Sequence, residues 1–257
     1  MSKNLVLALL AGLALLAGLA LMAGKAQAAS APITWSAPAN ETGKASDVIT
    51  SGKLVAAVTS GMSTTLNGVT FVGGAVEKNK LFGSGTVDFG SGITLTRAYA
   101  GNYNWANAPS NWNASYQTLV NTGTSGLVAN RATLTISGLT VGATYQIQIF
   151  QAVSTGNIYG PWPTAFAAGG KVSAEVSNAT PQYITGTFTA NAGTQAISLA
   201  GSNNYALFAA LQVRNIPAAL TSGSKPEPVT HAFMGAGLLG LGLLRRRRRP
   251  SAGSISA

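Results

Sequence analysis

The stretch Ala132–Val153, "ATLTISGLTVGATYQIQIFQAV", decides the fold class of the chain. Thr133 and Thr135 alternate with apolar residues before a Gly-containing break, and Gln146 and Gln148 do so after it. Successive side chains of a strand point to opposite faces, so this period of two is typical of a strand with one buried and one solvated face. The stretch therefore predicts two half-buried antiparallel strands.

The same alternation recurs through residues 29–216, with Gly, Asn and Ser at the breaks. No stretch of this domain combines a 3.6-residue period with caps, so no helix is predicted in it. Many short strands with Gly-rich turns indicate an all-β fold, a single antiparallel β-sandwich that is jelly-roll-like. A linker is predicted at 217–225. The predicted strands are Leu54–Thr59, Thr65–Val72, Ile93–Tyr99, Ala132–Ile136, Tyr145–Val153, Lys171–Val176, Ile184–Ala190, Thr194–Leu199 and Tyr205–Val213.

Residues 1–28 have the parts of a secretory signal peptide. Lys3 precedes an apolar run from Leu5 to Ala23, and Ala26-Gln27-Ala28 forms a small-x-small site. We expect a signal-peptide helix that is cut between Ala28 and Ala29. An uncleaved membrane anchor is the alternative, because the run is near the length that a bilayer requires. Both readings predict that the chain leaves the cytoplasm.

Basic charge is concentrated at the two ends of the chain. The formal net charge is +10, from 16 Lys and Arg against 6 Asp and Glu. The span Ala29–Lys225 holds 9 of the basic and 5 of the acidic residues, a net charge of +4. The high isoelectric point therefore does not predict a nucleic-acid-binding domain, which would carry its basic residues on the folded surface.

Three ordered features stand near the C-terminus. Pro226-Glu227-Pro228 precedes an uncharged run, Ala232–Leu244, and five arginines follow at Arg245, Arg246, Arg247, Arg248 and Arg249. As a helix, the run would extend roughly 20 Å, which is short of the bilayer core. Arginines at one end would hold that end in the cytoplasm as a membrane stop. The G-x-G-x-x-G pattern at 235–240 is accidental, because it lacks the flanking strand and the later acidic residue of a dinucleotide site.

These three features together resemble a PEP-CTERM sorting signal, here at 226–249 with a cytoplasmic tail at 250–257. The resemblance implies a Gram-negative bacterium that makes exopolysaccharide, with Pro226, Glu227 and Pro228 as the triplet that a membrane-embedded exosortase recognises. It also implies that the C-terminal helix spans the inner membrane only until the tail is removed. The expected processing partners are signal peptidase and exosortase.

Several segments of the β domain are similar to segments that recur in exported bacterial proteins with this tail. That resemblance implies an uncharacterised surface domain and brings no activity with it. The segments are Ile33–Trp35, Ser46–Val48, Gly52–Val55, Asn67–Phe71 and Leu134–Leu139, the last together with Tyr145-Gln146.

The residues available for chemistry are few. The chain has no cysteine, and its single histidine, His231, lies in the sorting tail. This excludes Ser-His-Asp triads, thiolate nucleophiles and His- or Cys-based zinc sites in the domain. The domain's acidic residues predict turns or surface solvation, so we expect no enzyme, no cofactor and no metal site. These acidic residues are Glu41, Asp47, Glu77, Asp88 and Glu175.

Aromatic residues in loops are the candidates for ligand contact. Trp105, Trp112, Tyr159 and Trp162 lie in Asn-rich or Gly/Pro-containing stretches. Flat aromatic faces beside amide groups suit stacking on sugar rings, and loops on a rigid scaffold often carry function. The alternative is that these side chains pack against the core and hold the loops down. Trp35 lies in a predicted first strand and is expected in the core.

The sequence favours a structural or interaction protein of the cell surface or extracellular matrix, associated with exopolysaccharide or biofilm. The first alternative is a carbohydrate-binding module for exopolysaccharide. The second is a polysaccharide-acting enzyme, since a glycosidase needs a pair of carboxyl groups that distant strands could bring together.

Overall fold

The computed structural model describes residues 29–73, 83–103, 108–121, 123–127, 132–152, 162–201 and 205–217. Within these ranges no helix is both long enough and apolar enough to cross a membrane. The predicted signal-peptide helix and C-terminal membrane helix lie outside the described residues, as does the sorting tail.

Strands dominate the described ranges, which hold one α-helix, α1 (Ala114–Val120), and a 3₁₀ helix at Ala45–Asp47. The strands are β1 (Thr34–Trp35), β2 (Ala39–Asn40), β3 (Lys53–Thr59), β4 (Thr64–Leu66), β5 (Val69–Gly73), β6 (Gly83–Asp88), β7 (Ile93–Tyr103), β8 (Gly123–Leu127), β9 (Ala132–Ser137), β10 (Thr144–Phe150), β11 (Thr164–Ala168), β12 (Lys171–Val172), β13 (Gln182–Thr189), β14 (Thr194–Gly201), β15 (Tyr205–Phe208) and β16 (Ala210–Ile216).

The strands form two sheets, which confirms the predicted β-sandwich. The first sheet has the order β1-β13-β10-β16-β3-β5-β4, and β2 also pairs with β13. The second sheet has the order β12-β11-β14-β9-β7-β8-β15, and β6 also pairs with β7. The described pairs are antiparallel except β3 with β5, which run parallel.

The main core lies between the inner faces of the two sheets. Its cross-strand pairs include Ile93 with Ile136 and Leu134 with Ile197, each buried. Thr133, which directly precedes Leu134 in β9, is half-buried on the opposite face of the strand, as the period of two predicted. Central members of this core are Ile147, Ile149, Leu211 and Val213 from the first sheet and Ile93, Leu95, Leu134, Ile136, Ile197 and Leu199 from the second.

A second apolar cluster lies on the outer face of the first sheet. Helix α1 contributes Tyr116 and Leu119, and the β4–β5 hairpin contributes Phe71. The ring of Phe150 on β10 meets those of Phe71 and Tyr116 edge to face, with centroids 5.9 and 6.1 Å apart. Helix α1 therefore packs over the outer face of the first sheet, against its β4–β5 end.

The prediction that the domain has no helix is wrong. Helix α1 has seven residues, about two turns, so it is too short to display a repeating period. Its cap is Asn113, whose Oδ1 accepts the backbone N–H groups of Ser115 and Tyr116 at 2.9 and 3.3 Å. Burial of its apolar face against the sheet stabilises so short a helix.

Most predicted strands are present, but two of them are divided. Asn67 and Gly68 have positive φ angles of 49° and 73° and form the tight turn that splits Thr65–Val72 into the β4–β5 hairpin. The predicted strand Tyr205–Val213 is broken at Ala209, which falls between β15 and β16. In both cases the alternation of apolar and polar residues continues through a point where the backbone changes direction, and the prediction followed the alternation.

Other errors concern segments with little side-chain pattern. The predicted strand Lys171–Val176 pairs as a strand only over β12, with an isolated bridge at Val176. A first strand at Trp35 was predicted and is present as β1, but β2, β6, β8 and β11 were not predicted from the sequence. Glycine and alanine leave β6, β8 and β11 without clear alternation, while β2 has two residues.

A buried polar ladder crosses the outer face of the first sheet and holds the segment 49–52. Gln148 donates to the carbonyl of Asp47 at 2.7 Å, and its Oε1 accepts from Gln212 at 2.6 Å. Arg214 donates to three carbonyls of residues 50–52 at 2.7, 2.8 and 3.2 Å. The side chain of Gln148 is fully buried, so the expectation that it lies on a solvated face of its strand is wrong. Buried polar groups require such partners, and the ladder therefore fixes the path of the chain before β3.

A glycine is required at position 186, where β1 pairs with β13. A Cβ there would lie 2.6 Å from Ile33 Cγ2 and 2.8 Å from the ring of Trp35. We expect Gly186→Ala to lower the free energy of unfolding by about 1–3 kcal/mol through overpacking. Gly193→Ala is the matched control, because its nearest neighbour, the carbonyl of Leu139, is 3.8 Å away. Urea unfolding of both variants measures the difference, and equal midpoints would contradict the packing described for β1.

Candidate functional site

The candidate aromatic residues that the structure describes do not share one surface. Trp162 packs with Ala152, Leu207 and Ala209, whereas Trp112 packs against the cluster beneath helix α1. Trp105 and Tyr159 lie outside the described residues, and their sugar-binding role stays a prediction.

Trp162 is a packed side chain, 6% exposed. Its backbone N–H donates to Asn178 Oδ1 at 2.7 Å, and its carbonyl accepts from Gln151 Nε2 at 3.2 Å. The same Gln151 amide donates to Thr164 Oγ1 at 2.9 Å. Its burial and these hydrogen bonds favour the interpretation that Trp162 packs against the core over the interpretation that its ring stacks on a sugar.

Trp112 is half-buried and covers the loop at Gly43. The ring lies so close to that glycine that a Cβ would be only 2.0 Å from Trp112 Cγ, and the glycine has a φ of +72°. The carbonyl of Gly43 accepts the N–H of Asn113 at 3.0 Å, which ties the loop to the start of α1. The indole meets the ring of Tyr116 edge to face at 5.4 Å. The Trp112 side chain therefore covers the space between the loop at Gly43 and helix α1.

Beneath it lies a group of four side chains that we call the acid–tyrosine cluster: Glu41, Asp47, Tyr116 and Tyr183. Glu41 follows β2, Asp47 ends the 3₁₀ helix, Tyr116 is on α1 and Tyr183 is on β13. Both acidic residues are buried, at 7% and 8% exposure, and Tyr116 is fully buried. The expectation of turns or surface solvation is wrong for Glu41, which is buried, and its surface part is wrong for Asp47, because helix α1 packs over the loop that carries them.

Asp47 organises its own loop. Its Oδ2 accepts the backbone N–H groups of Thr42 and Gly43 at 2.6 and 3.1 Å, and its Oδ1 accepts the Thr42 hydroxyl at 2.7 Å. Three donors on one carboxyl group suit its ionised form, which only accepts hydrogen bonds. The sequence-based prediction of a turn at Asp47 is confirmed, although the turn faces inward.

Glu41 contrasts with Asp47, because neither of its buried carboxyl oxygens has a hydrogen-bond partner. Burial, and after it the negative charge of Asp47, raise the pKa of Glu41 well above its usual 4.5. Among the described residues no Lys, Arg or His pairs with it, and Lys44 nearby in sequence is exposed. A buried carboxyl group without a basic partner lowers the free energy of unfolding when it is ionised.

Tyr116 and Tyr183 complete the cluster. Burial, followed by the charges of Glu41 and Asp47, raises the pKa of the Tyr116 hydroxyl. That hydroxyl therefore faces both carboxyl groups, yet it makes no well-formed hydrogen bond with either. Burial and then the same two charges raise the pKa of the half-buried Tyr183. Both phenols are neutral over the ordinary pH range.

The other acidic residues follow the sequence-based expectation where they are described. Asp88 is exposed and accepts the N–H of Gly90 in its own turn at 2.8 Å, and Glu175 is exposed. Glu77 lies outside the described residues. In the ranges that the structure covers, no three His, Cys, Asp or Glu side chains come together.

Trp162→Ala is expected to lower the free energy of unfolding by about 3–5 kcal/mol, because it empties a packed position. Trp112→Ala should cost less, since the indole is only half-buried. Denaturant unfolding of the two variants measures both losses. A Trp162→Ala variant as stable as wild type would instead indicate an accessible aromatic face.

Glu41→Gln tests the buried carboxyl group through the pH dependence of stability. Since the pKa of Glu41 is raised in the folded state, its contribution to stability is complete below about pH 4.5 and is lost as pH rises through the folded-state value. In buffer free of divalent cations, we expect the variant to match wild type in acid. At neutral pH it should exceed wild type by about 1.4 kcal/mol for each unit of pKa elevation.

Thermal unfolding between pH 4 and pH 8 measures this effect, with the exposed Glu175→Gln as the control. Asp47, Tyr116 and Tyr183 face Glu41 and are unchanged in both variants. Parallel stability curves for wild type and Glu41→Gln would contradict the raised pKa.

Comparison with known proteins gives distant likenesses to solved structures. No protein-family model matches the chain, and no curated protein matches it. Among solved structures, the chain is similar to the CBM22-1 xylan-binding domain of Xyn10C from Paenibacillus barcinonensis, with 10% sequence identity and a TM-score of 0.35. The match covers 66% of this chain and 99% of that domain. A likeness at this level carries no information about the ligand of this chain.

Proposed function

We propose that the chain is an exported protein of the cell surface or extracellular matrix of a Gram-negative bacterium, with a structural or interaction role in exopolysaccharide or biofilm. A signal peptide would start export, and an exosortase would remove the C-terminal tail. The observation that carries this proposal is the order of signals in the sequence: a leader that ends at Ala28, and the triplet, apolar run and arginines from Pro226 to Arg249.

The position of the folded domain supports the proposal. The described strands begin at Thr34 and end at Ile216, so both sheets lie inside the span that the two cleavages would release. The domain also contains no cysteine, so its folding needs no disulfide formation after export. A sandwich with a large apolar core suits a protein that must stand alone outside the cell.

We also propose that the connections between the strands of the sandwich are jelly-roll-like. From β9 to β16 the chain passes repeatedly between the two sheets: β9, β11, β14 and β15 lie in the second sheet, and β10, β13 and β16 lie in the first. Such crossing between facing sheets is the feature of the jelly roll.

The burial of the carboxyl groups favours binding over hydrolysis. A glycosidase needs two carboxyl groups that reach the substrate on either side of one bond. Among the residues that the structure describes, Glu41 and Asp47 are the acidic pair that the fold brings together, and both are buried. We therefore place the polysaccharide-acting enzyme last among the candidates.

Exopolysaccharide binding is the second candidate function, favoured by one observation. Trp112 keeps part of its indole accessible, and its neighbour Asn111 is exposed. An aromatic face beside an amide suits a sugar ring. Affinity electrophoresis of wild type and Trp112→Ala in the host's own polysaccharide separates a binding module from a protein with only a structural role.

The test of sorting uses the full chain produced in its own host. We expect intact mass spectrometry of surface-released protein to show a chain that begins near Ala29 and lacks Arg245–Arg249. Replacing both Pro226 and Pro228 by Ala should leave the tail attached and the protein in the membrane fraction, because the extended triplet is lost. Thr230→Ala is the control with intact processing. Surface-released wild-type protein that still carries the five arginines would overturn the proposal.

A further inference from the structure

The acid–tyrosine cluster gathers oxygen atoms that the protein itself leaves unsatisfied. Both oxygens of Glu41 and the hydroxyl of Tyr116 are buried without a well-formed hydrogen bond, although the hydroxyl lies close to both carboxyl groups. A buried polar atom in a native fold normally has a partner, so three orphans in one place indicate a missing interaction. They belong to different elements, the loop after β2 and helix α1, so a single local distortion does not account for them.

The chemistry of these atoms selects the class of partner. Glu41 and Asp47 supply carboxyl oxygens, and Tyr116 supplies a phenol oxygen. Asp47 already accepts three hydrogen bonds, which orient the group and leave lone-pair capacity on the carboxylate. Two carboxylates without a basic partner among the described residues form a site for positive charge.

We propose that Glu41, Asp47 and Tyr116 form a binding site for a divalent cation, with calcium as the ion that fits best. Nitrogen and sulfur ligands are absent from the set, and an oxygen-only set suits calcium or magnesium rather than zinc or copper. Calcium accepts an irregular set of about six to eight oxygens, some of them from backbone carbonyls or water, whereas magnesium demands a near-ideal octahedron, so calcium suits this set better. A charge of +2 also balances the two carboxylates.

The surrounding fold suits a site of this kind. The Asp47 loop is fixed to the first sheet through Gln148, and the Glu41 backbone N–H donates to the carbonyl of Pro181 at 2.9 Å. The two ligand-bearing segments are therefore held by the same sheet, β10 on one side and the start of β13 on the other. Only two carboxyl groups take part, so we expect affinity in the roughly 10⁻⁴–10⁻³ M range of extracellular calcium modules.

The experiment is a calcium titration of the full chain after chelation and removal of the chelator. At neutral pH, calcium chloride alone should raise the melting temperature in a saturable way, with half of the effect at about 10⁻⁴–10⁻³ M. Isothermal titration calorimetry should give a stoichiometry near one. Because the Trp112 ring lies against Tyr116, its fluorescence should change over the same concentration range.

Glu41→Gln should abolish the calcium response while the protein stays folded, because an amide replaces the carboxylate at the same size. Asp88→Asn is the matched control and should keep the full response, since Asp88 is exposed in its own turn. Magnesium chloride should act more weakly than calcium chloride. No saturable response up to about 10 mM calcium, above the range of such modules, would overturn the proposal. A response that survives in Glu41→Gln would overturn it as well.

Discussion

The need to satisfy polar groups buried on the outer face of the first sheet governs the structure on that side. Gln148, Gln212 and Arg214 stand in neighbouring strands, and they find their partners in the backbone of the segment 47–52. Burial lowers the pKa of Arg214, and its carbonyl partners compensate for part of the lost hydration. The segment is therefore laid across the sheet by hydrogen bonds, together with the burial of Val48 in the second apolar cluster.

That constraint places the acid–tyrosine cluster. Once the backbone of Asp47 is fixed to Gln148, its side chain turns back onto the loop at 42–43 and faces the outer surface of the sheet. Helix α1 then packs on Phe150 and Phe71 and brings Tyr116 over the same spot. The inner face of the sheet builds the core of the sandwich, while its outer face builds the candidate site.

The sequence predicted those parts whose side chains carry the pattern, and it missed those decided by contacts distant in sequence. In β9 and β10 each residue has an inner or outer position, so alternation located β9 and the start of β10 to within one residue, although the predicted end at Val153 lies three residues past Phe150. In β6 and β8 the glycines have no side chain to alternate, and these strands are defined by pairing with β7 and, for β8, also with β15. Burial of Glu41 depends on a helix more than seventy residues later in the chain. No local pattern could therefore have indicated it.

Stability alone does not explain why this cluster is built from acidic residues. Replacing buried charged groups by apolar ones of similar size is often neutral or stabilising, and the neighbours of Tyr116 already include Val48, Leu66 and Phe150. Gln151 and Asn178 each leave one buried amide atom without a partner, whereas Glu41 leaves both of its carboxyl oxygens without one. Positions that break the rules kept by the rest of a structure are where function is expected. Trp162 differs from Glu41 in this respect. Its packing breaks no such rule, so no ligand is needed to account for it.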